Sequence, residues 1–347
     1  MPHVTLHDIA RRCNVSIATV SAVVNEAEWV SQKTRSRVQR AVAEMGYHPN
    51  QYARGLKQRQ GHAVGVIVSD LTNPFFTQIV RSLSHALNAA GRSLSLCDSD
   101  HQHLLGESNL RMLVEGQIVG LVIIGDSVPE KALEAFVRVR ARVPVISIER
   151  EYTIPQVSSL LVDSERAAYA ATRHLHDRGC ERIAMITGPS AGAGSATFGR
   201  VQRHEGYRRA LADLGRASDP RLVVEGNFRF ESGRTAMRRL LALDQRPDAV
   251  FAANDMMALG ALSALREAGL SAPDDIALVG FDNVPMAGLI APGLTTMAMP
   301  MAELGDEAAR LLETQLSHKG GHEAVRHVFS AELVVRESSL RPVGVLA

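Results

Sequence analysis

Residues 13–25 read CNVSIATVSAVVN, two serines and a threonine set among valines where alanine or leucine would better serve an ordinary buried helix. Ser16 is a favoured N-cap, and from Ile17 onward the run sorts onto two sides of a helix. Val20, Val23 and Val24 share one side as core, while Ile17, Ala18, Ser21 and Ala22 lie on the other, small and exposed. Upstream, Thr5 and Asp8 make a capping-box pattern, and Leu6, Ile9, Ala10 and Cys13 follow at helical spacing, which predicts a short first helix. Asn14 tolerates left-handed backbone better than other non-glycine residues, which suits a tight turn between the two helices. Downstream, a third helix starts at Ser31, carries Val38, Ala41, Val42 and Met45 as its apolar stripe, and stops at Gly46.

Two short helices joined by a tight turn and backed by a third make a helix-turn-helix, whose second helix can enter the DNA major groove. Such a helix benefits from small hydroxyl-bearing residues: Ser and Thr reach phosphates or bases, and alanine admits a thymine methyl. For Ser16 a plain capping role and a DNA contact both stay open. Charge points the same way. Residues 1–60 hold nine Lys/Arg against four Asp/Glu, a net +5, which leaves −4 for the rest of a chain whose total is +1. A basic module in front of a mildly acidic body suggests a polyanion partner for the module.

The run VTLHDIARRCNVSIATVSAVVN, followed by VSQKTRSRVQRAVAEMGYHPNQYARGLKQ, resembles the DNA-binding headpiece of the LacI/GalR family of bacterial transcription regulators over residues 4–58. The resemblance implies base and backbone contacts from Thr5, Ser16, Ile17, Ala18, Thr19, Ser21, Ala22 and Asn25. One departure bears on specificity. The family usually places arginine after the Thr-Val-Ser triplet, and Ala22 stands there, so a bidentate base contact is missing. Residues 49–60 would be a hinge segment. Pro49 and Asn50 can start a short helix there, one too short and too burdened by Gly55 to hold by itself. The resemblance implies that this hinge orders on DNA, with Asn50, Ala53 and Leu56 at the minor groove and Leu56 wedged between base steps. A flexible basic linker is the plainer alternative.

From residue 62 the chain alternates short β-rich runs such as HAVGVIVS, VGLVIIG and DAVFAAN with amphipathic stretches, in two successive series. That alternation predicts parallel sheets covered by helices on both faces, and two lobes. The fold expected is a small all-α helix-turn-helix headpiece plus an α/β core of two doubly wound lobes. By resemblance that core is periplasmic-binding-protein-like, with the chain crossing between lobes more than once. The expected bounds are 1–48 for the headpiece and 61–340 for the core, with lobe 1 near 61–161 plus 291–320 and lobe 2 near 162–290 plus 321–340.

In open α/β sheets, ligands bind beyond the carboxyl ends of strands, and here those ends carry SDLTNPFF, IERE, TGPS, AANDMMALG and GFDNVP. Carried over from the family residue by residue, Asp70, Asn73, Phe75, Glu149, Arg203, Phe228, Asn254 and Asp282 surround a small effector. Carboxylates and amides, an arginine fork and an aromatic face suit a sugar or sugar derivative. Asn254 and Asp282 have a second reading as helix caps after their strands.

Other signals carry less. GPSAGAGS at 188–195 lacks the lysine of a phosphate-binding loop. Cys97, His101 and His103 gather soft ligands, but the segment spans a strand-helix turn, and no metal is expected. No nucleophile-base pair, cofactor motif or signal-peptide core stands out, and the longest apolar runs are strand-sized. The chain therefore reads as a cytoplasmic, cofactor-free homodimer that is no enzyme, with a roughly palindromic double-stranded operator and a small effector as partners and no membrane. A sugar-binding protein of the same core fold without a DNA role is the alternative.

Overall fold

The computed structural model describes residues 4–24, 27, 29–47, 63–189, 198–216, 219–318 and 323–341. It divides into two compact units, Met1–Gly61 and His62–Ala347. In the first, α1 (Leu6–Cys13) starts with the expected capping box: Thr5 Oγ1 accepts from the Asp8 amide, and Asp8 Oδ2 accepts from the Thr5 amide at 2.9 Å. Asn14 ends it in the left-handed region with φ 46°. Ser16 Oγ accepts from the Thr19 amide at 3.0 Å and so caps α2 (Ile17–Val24). Helix α3 (Gln32–Glu44) follows, and Gly46 turns the chain with φ 62°. Ile9, Val20 and Val38, one from each helix, are fully buried at the centre of the headpiece core.

One face of α2 differs from the sequence reading. Ser16, Ile17 and Ala18 are exposed and Thr19 and Ser21 half-buried, but Ala22, expected on the exposed side, is 9% exposed and belongs to the core. The Ala27 amide donates to Ala22 O at 2.9 Å, and Ala27 packs against the same core.

The second unit holds two six-stranded sheets. The first contains β1 (Ala63–Val68), β2 (Ser93–Asp98), β3 (Gly120–Ile124), β4 (Val145–Ile148), β5 (Val157–Val162) and β11 (Arg326–Phe329), in the order β11-β5-β4-β3-β1-β2 and all parallel. Strands β1, β3, β4 and β5 are almost wholly buried, as the continuous apolar runs of a sheet covered on both faces require. Helices α4 (Pro74–Ala89), α5 (His103–Glu115) and α6 (Glu130–Val139) connect its strands.

The second sheet contains β6 (Ile183–Thr187), β7 (Val223–Glu225), β8 (Ala249–Ala252), β9 (Ala277–Asp282), β10 (Thr295–Ala298) and β12 (Glu332–Val334), in the order β12-β10-β9-β8-β6-β7 with only β12 antiparallel. Its helices are α7 (Ser164–Asp177), α8 (Phe198–Asp213), α9 (Phe230–Leu241) and α10 (Asp255–Glu267). Helix α11 (Met301–Ser317) returns to the first lobe, where Gly305 lets it lie against α4: a Cβ there would stand 2.6 Å from Ile79 O.

The chain thus passes between lobes after β5, after β10 and after β11. Two segments lie on the other side from the expected bounds. Thr295–Ala298 pairs beside β9 in the second sheet, and Arg326–Phe329 pairs beside β5 in the first. Among the described residues, no helix is long and apolar enough to cross a membrane.

Candidate functional sites

The headpiece presents Ser16, Ile17 and Ala18 outward at the start of α2. The Ser16 hydroxyl is engaged locally, with the Thr19 amide and, at 2.8 Å, with Thr19 Oγ1. Its capping role is therefore realised, whatever else it contacts. Thr5 is likewise tied into the capping box, with its hydroxyl 2.6 Å from Asp8 Oδ2. Asn25, Asn50, Ala53 and Leu56 lie outside the described residues.

In the second unit the carboxyl ends of both sheets meet around one cavity of about 80 Å³, lined by Ser69, Asn73, Phe75, Phe76, His101, Gly125, Asp126, Glu149, Arg203, Phe228, Asn254 and Asp282. Seven of the eight expected residues line it, and the eighth, Asp70, stands at its edge, 3.6 Å from His101 Nε2. The centre is a buried charge cluster. Arg203 from α8 is 7% exposed, donates to Ala253 O at 2.8 Å, lies 4.0 Å over the Phe281 ring, and has Nη2 3.6 Å from Glu149 Oε2 across the lobes. Glu149 also accepts from the Val162 amide at 2.8 Å and sits at φ 61°, a left-handed conformation that turns its side chain at the end of β4. Burial pushes its carboxyl above the usual range, against the pull of Arg203 and the Val162 amide.

Asp282, at the end of β9, is 2% exposed, and among the described residues its carboxylate makes no hydrogen bond. Burial drives its pKa well up; Arg203 opposes the rise, while Asp255 and Glu149 add to it. Two buried carboxylates therefore share one guanidinium. Since the folded state holds the Asp282 proton more tightly than the unfolded chain, stability falls as pH rises above the ordinary aspartate range. Asp282→Asn removes that loss, so the variant's melting temperature should gain on the wild type's between pH 5 and pH 8. Parallel melting curves at the two pH values would contradict the assignment.

Several expected residues shape the site rather than face a ligand alone. Asn73 caps α4 by accepting from the Phe75 amide at 3.0 Å. Asn254 caps α10 through Met257 N at 2.9 Å, the cap role held open above, and its amide donates to Phe228 O at 2.8 Å. That bond fixes the Phe228 loop, where φ is 66°. The Phe228 ring rests on Gly188, whose Cβ would lie 2.1 Å from it, so no larger residue fits. Asp255 is structural: it accepts from Val284 N at 2.8 Å and Thr296 Oγ1 at 2.6 Å, and burial lifts its pKa to about 7.

The sequence reading passed over Asp126, Phe76 and Arg229, noted Arg150 only beside Glu149 in the strand-end run IERE, and weighed His101 only as a metal ligand. Asp126 is ion-paired with Arg150, and His103 Nε2 is 3.3 Å from it. Cys97 packs in the core of the first lobe. No group of three or more metal-ligating side chains forms among the described residues. The polar tails of β2 (DSDH) and β3 (GDS) were the available signal, by the same strand-end argument that found the others.

Comparison with known proteins follows this division. Residues 5–50 match the family described as bacterial regulatory proteins, lacI family, and residues 172–339 match the periplasmic binding protein-like domain. The HTH-type transcriptional repressor CytR of Escherichia coli (strain K12) is 34% identical over 96% of each chain. Among solved structures, the transcriptional regulator CelR–cellobiose complex is 33% identical, with a TM-score of 0.72, over 97% of this chain and 100% of that one. The lac repressor dimer bound to operator and the anti-inducer ONPF is 27% identical, with a TM-score of 0.81, over 98% and 100%.

Proposed function

The chain belongs to the lacI family of bacterial regulatory proteins, and on that premise we propose that it is a DNA-binding transcriptional repressor, not an enzyme, with a ligand-binding core that sets its operator affinity. The observation that carries the reading is the joining, in one chain, of a basic helix-turn-helix with an exposed Ser16–Ala18 edge to a two-lobed core closing on a charged cavity. The effector proposed is a sugar or sugar derivative: Asp282, Glu149 and Arg203 suit hydroxyls, and Phe228 suits the C–H face of a ring. A family relative complexed with cellobiose supports that class. Linkage supplies the mechanism, since an effector that prefers one arrangement of the lobes changes operator affinity reciprocally with its own.

A homodimer on a roughly palindromic operator is the matching assembly, as in the operator-bound lac repressor dimer. The alternative of a sugar-binding protein without a DNA role gains no support from the headpiece. Selection of bound sequences from a random duplex library, at a stated salt concentration because phosphate contacts dominate non-specific binding, tests the proposal. A two-fold symmetric motif is expected, and no enrichment would sink the repressor reading. Trp29, the chain's single tryptophan, is 70% exposed in the headpiece and gives an intrinsic fluorescence signal for titrating the selected duplex. With Leu56 as the proposed minor-groove wedge, Leu56→Ala should weaken binding to the selected duplex by about 2 kcal/mol or more and leave random-duplex binding nearly unchanged. Equal losses on both duplexes would favour a plain linker.

A further inference from the structure

At the mouth of the cleft, outside the buried Arg203 cluster, the lobes hold each other through Asp100, His101 and Arg229, which the effector reading does not use, together with Asp70 and Phe228, which it does. Asp100 and His101 follow β2 with φ 47° and 56°, two successive non-glycine residues in the left-handed region. Such a conformation persists only where its surroundings enforce it. Here the His101 amide donates to Ser69 O at 2.7 Å and the Asp100 amide to Asp98 Oδ1 at 3.0 Å. The strained turn presents His101 to the other lobe. Its ring stacks on Phe228 at 6.4 Å and 28°, meets Phe76 edge-on at 6.4 Å, and has Nε2 3.6 Å from Asp70 Oδ2.

The next residue of the second lobe completes the contact. Arg229 bonds to Asp100 Oδ1 and has Nε 3.6 Å from Asp70 Oδ2. Asp70 itself is 2% exposed and accepts from the Thr72 amide at 2.8 Å. What remains behind is about 80 Å³, well below the roughly 300 Å³ at which small-molecule pockets begin.

We propose that Asp70, Asp100 and His101 of one lobe and Phe228 and Arg229 of the other form a clasp across the mouth of the cleft, so that an effector enters only by breaking it. Its regulatory consequence rests on the cleft being the effector site; the clasp itself does not. A clasp of this kind lowers apparent affinity by the fraction of time it is closed, and Arg229 and His101 thereby set the threshold for response. Because Arg229 and Asp100 are each about half exposed, their ion pair alone holds weakly. The stacked rings and the buried Asp70 carboxylate supply the rest.

Hydrogen exchange of the full-length protein, read by mass spectrometry without DNA or effector, tests the clasp. Arg229→Ala should speed amide exchange at least threefold both in residues 227–230 and in residues 99–102 of the opposite lobe, with a rise in the radius of gyration from X-ray scattering. Asp100→Ala, made from the other side, should do the same, and the double variant should add little. Acceleration confined to the segment carrying each substitution, with unchanged scattering, would overturn the proposal. Since no operator or effector enters the measurement, a failure of the repressor reading would leave this result as it stands.

Discussion

Ile9→Ala should abolish sequence-specific DNA binding while the unfolding of the two-lobed body stays at its wild-type temperature. Ile9 is fully buried at the meeting point of α1, α2 and α3, in a core that includes Val20, Val23 and Val38. Removing three buried carbons costs about 2–5 kcal/mol through lost transfer energy and the cavity left behind. A domain of this size has little to spare, because its surface-to-volume ratio leaves a net stability of only about 3–5 kcal/mol. The substitution therefore removes most or all of it, and α2 loses the support that orients Ser16, Ile17 and Ala18. Calorimetry should show the headpiece transition lost and the body transition unmoved, as two compact units predict. Titration of the Trp29 signal with the selected duplex should show affinity reduced to the non-specific level. Operator in large excess should recover part of the binding by mass action on the folded form. Specific affinity within tenfold of wild type would mean that the headpiece core is far more stable than its size indicates.

The headpiece was the most legible part of the sequence because its determinants are local. The Thr5–Asp8 capping box, the left-handed Asn14 and the Ser16 cap each depend on residues within four positions, and each forms. Ala22 was misread because it joins Val20 and Val23 in the three-helix core, so the buried stripe of α2 is wider than its valines alone indicate. In the body the strongly apolar strands were readable, whereas β5 was not, for its sequence VSSLLV puts two serines in the interior. Ser158 is tolerated there because its Oγ accepts from Gln315 Nε2 at 2.8 Å and from the Val325 amide at 3.1 Å, partners remote in sequence. Strands β10, β11 and β12 are three or four residues long, too short for a periodic signal, and this displaced the expected lobe bounds.

The cleft follows the same rule. Residues at strand ends could be found from pattern and family resemblance. The pairs Asp126–Arg150 and Asp100–Arg229 could not, because each joins distant segments that only tertiary packing brings together.

Arg203→Met tests that buried centre most severely. With the guanidinium gone, Glu149 and Asp282 face each other's field without a cation, Ala253 O loses its donor, and the Phe281 ring loses the charge lying over it. Removing one partner of a buried ionic cluster costs about 3–5 kcal/mol, far more than the cluster's net contribution, because the remaining charge is stranded. At about 2–4 °C per kcal/mol, the body's melting temperature should fall by on the order of 10 °C near pH 8. The sign of the pH dependence discriminates this cause from simple loss of packing. Both carboxyls already hold their protons more tightly in the folded state than in the unfolded chain. Losing the cation raises both further, so the deficit should shrink on acidification as the carboxyls are neutralised, whereas a packing defect would persist at every pH. Adding Asp282→Asn should restore part of the stability at pH 8, because it leaves one stranded carboxylate in place of two. It should not restore the response to effector if, as proposed, the arginine fork itself holds the ligand. A variant equally destabilised at pH 5 and pH 8, and unimproved by Asp282→Asn, would show that Arg203 serves the fold by its bulk and that the charge balance of the cleft is set elsewhere.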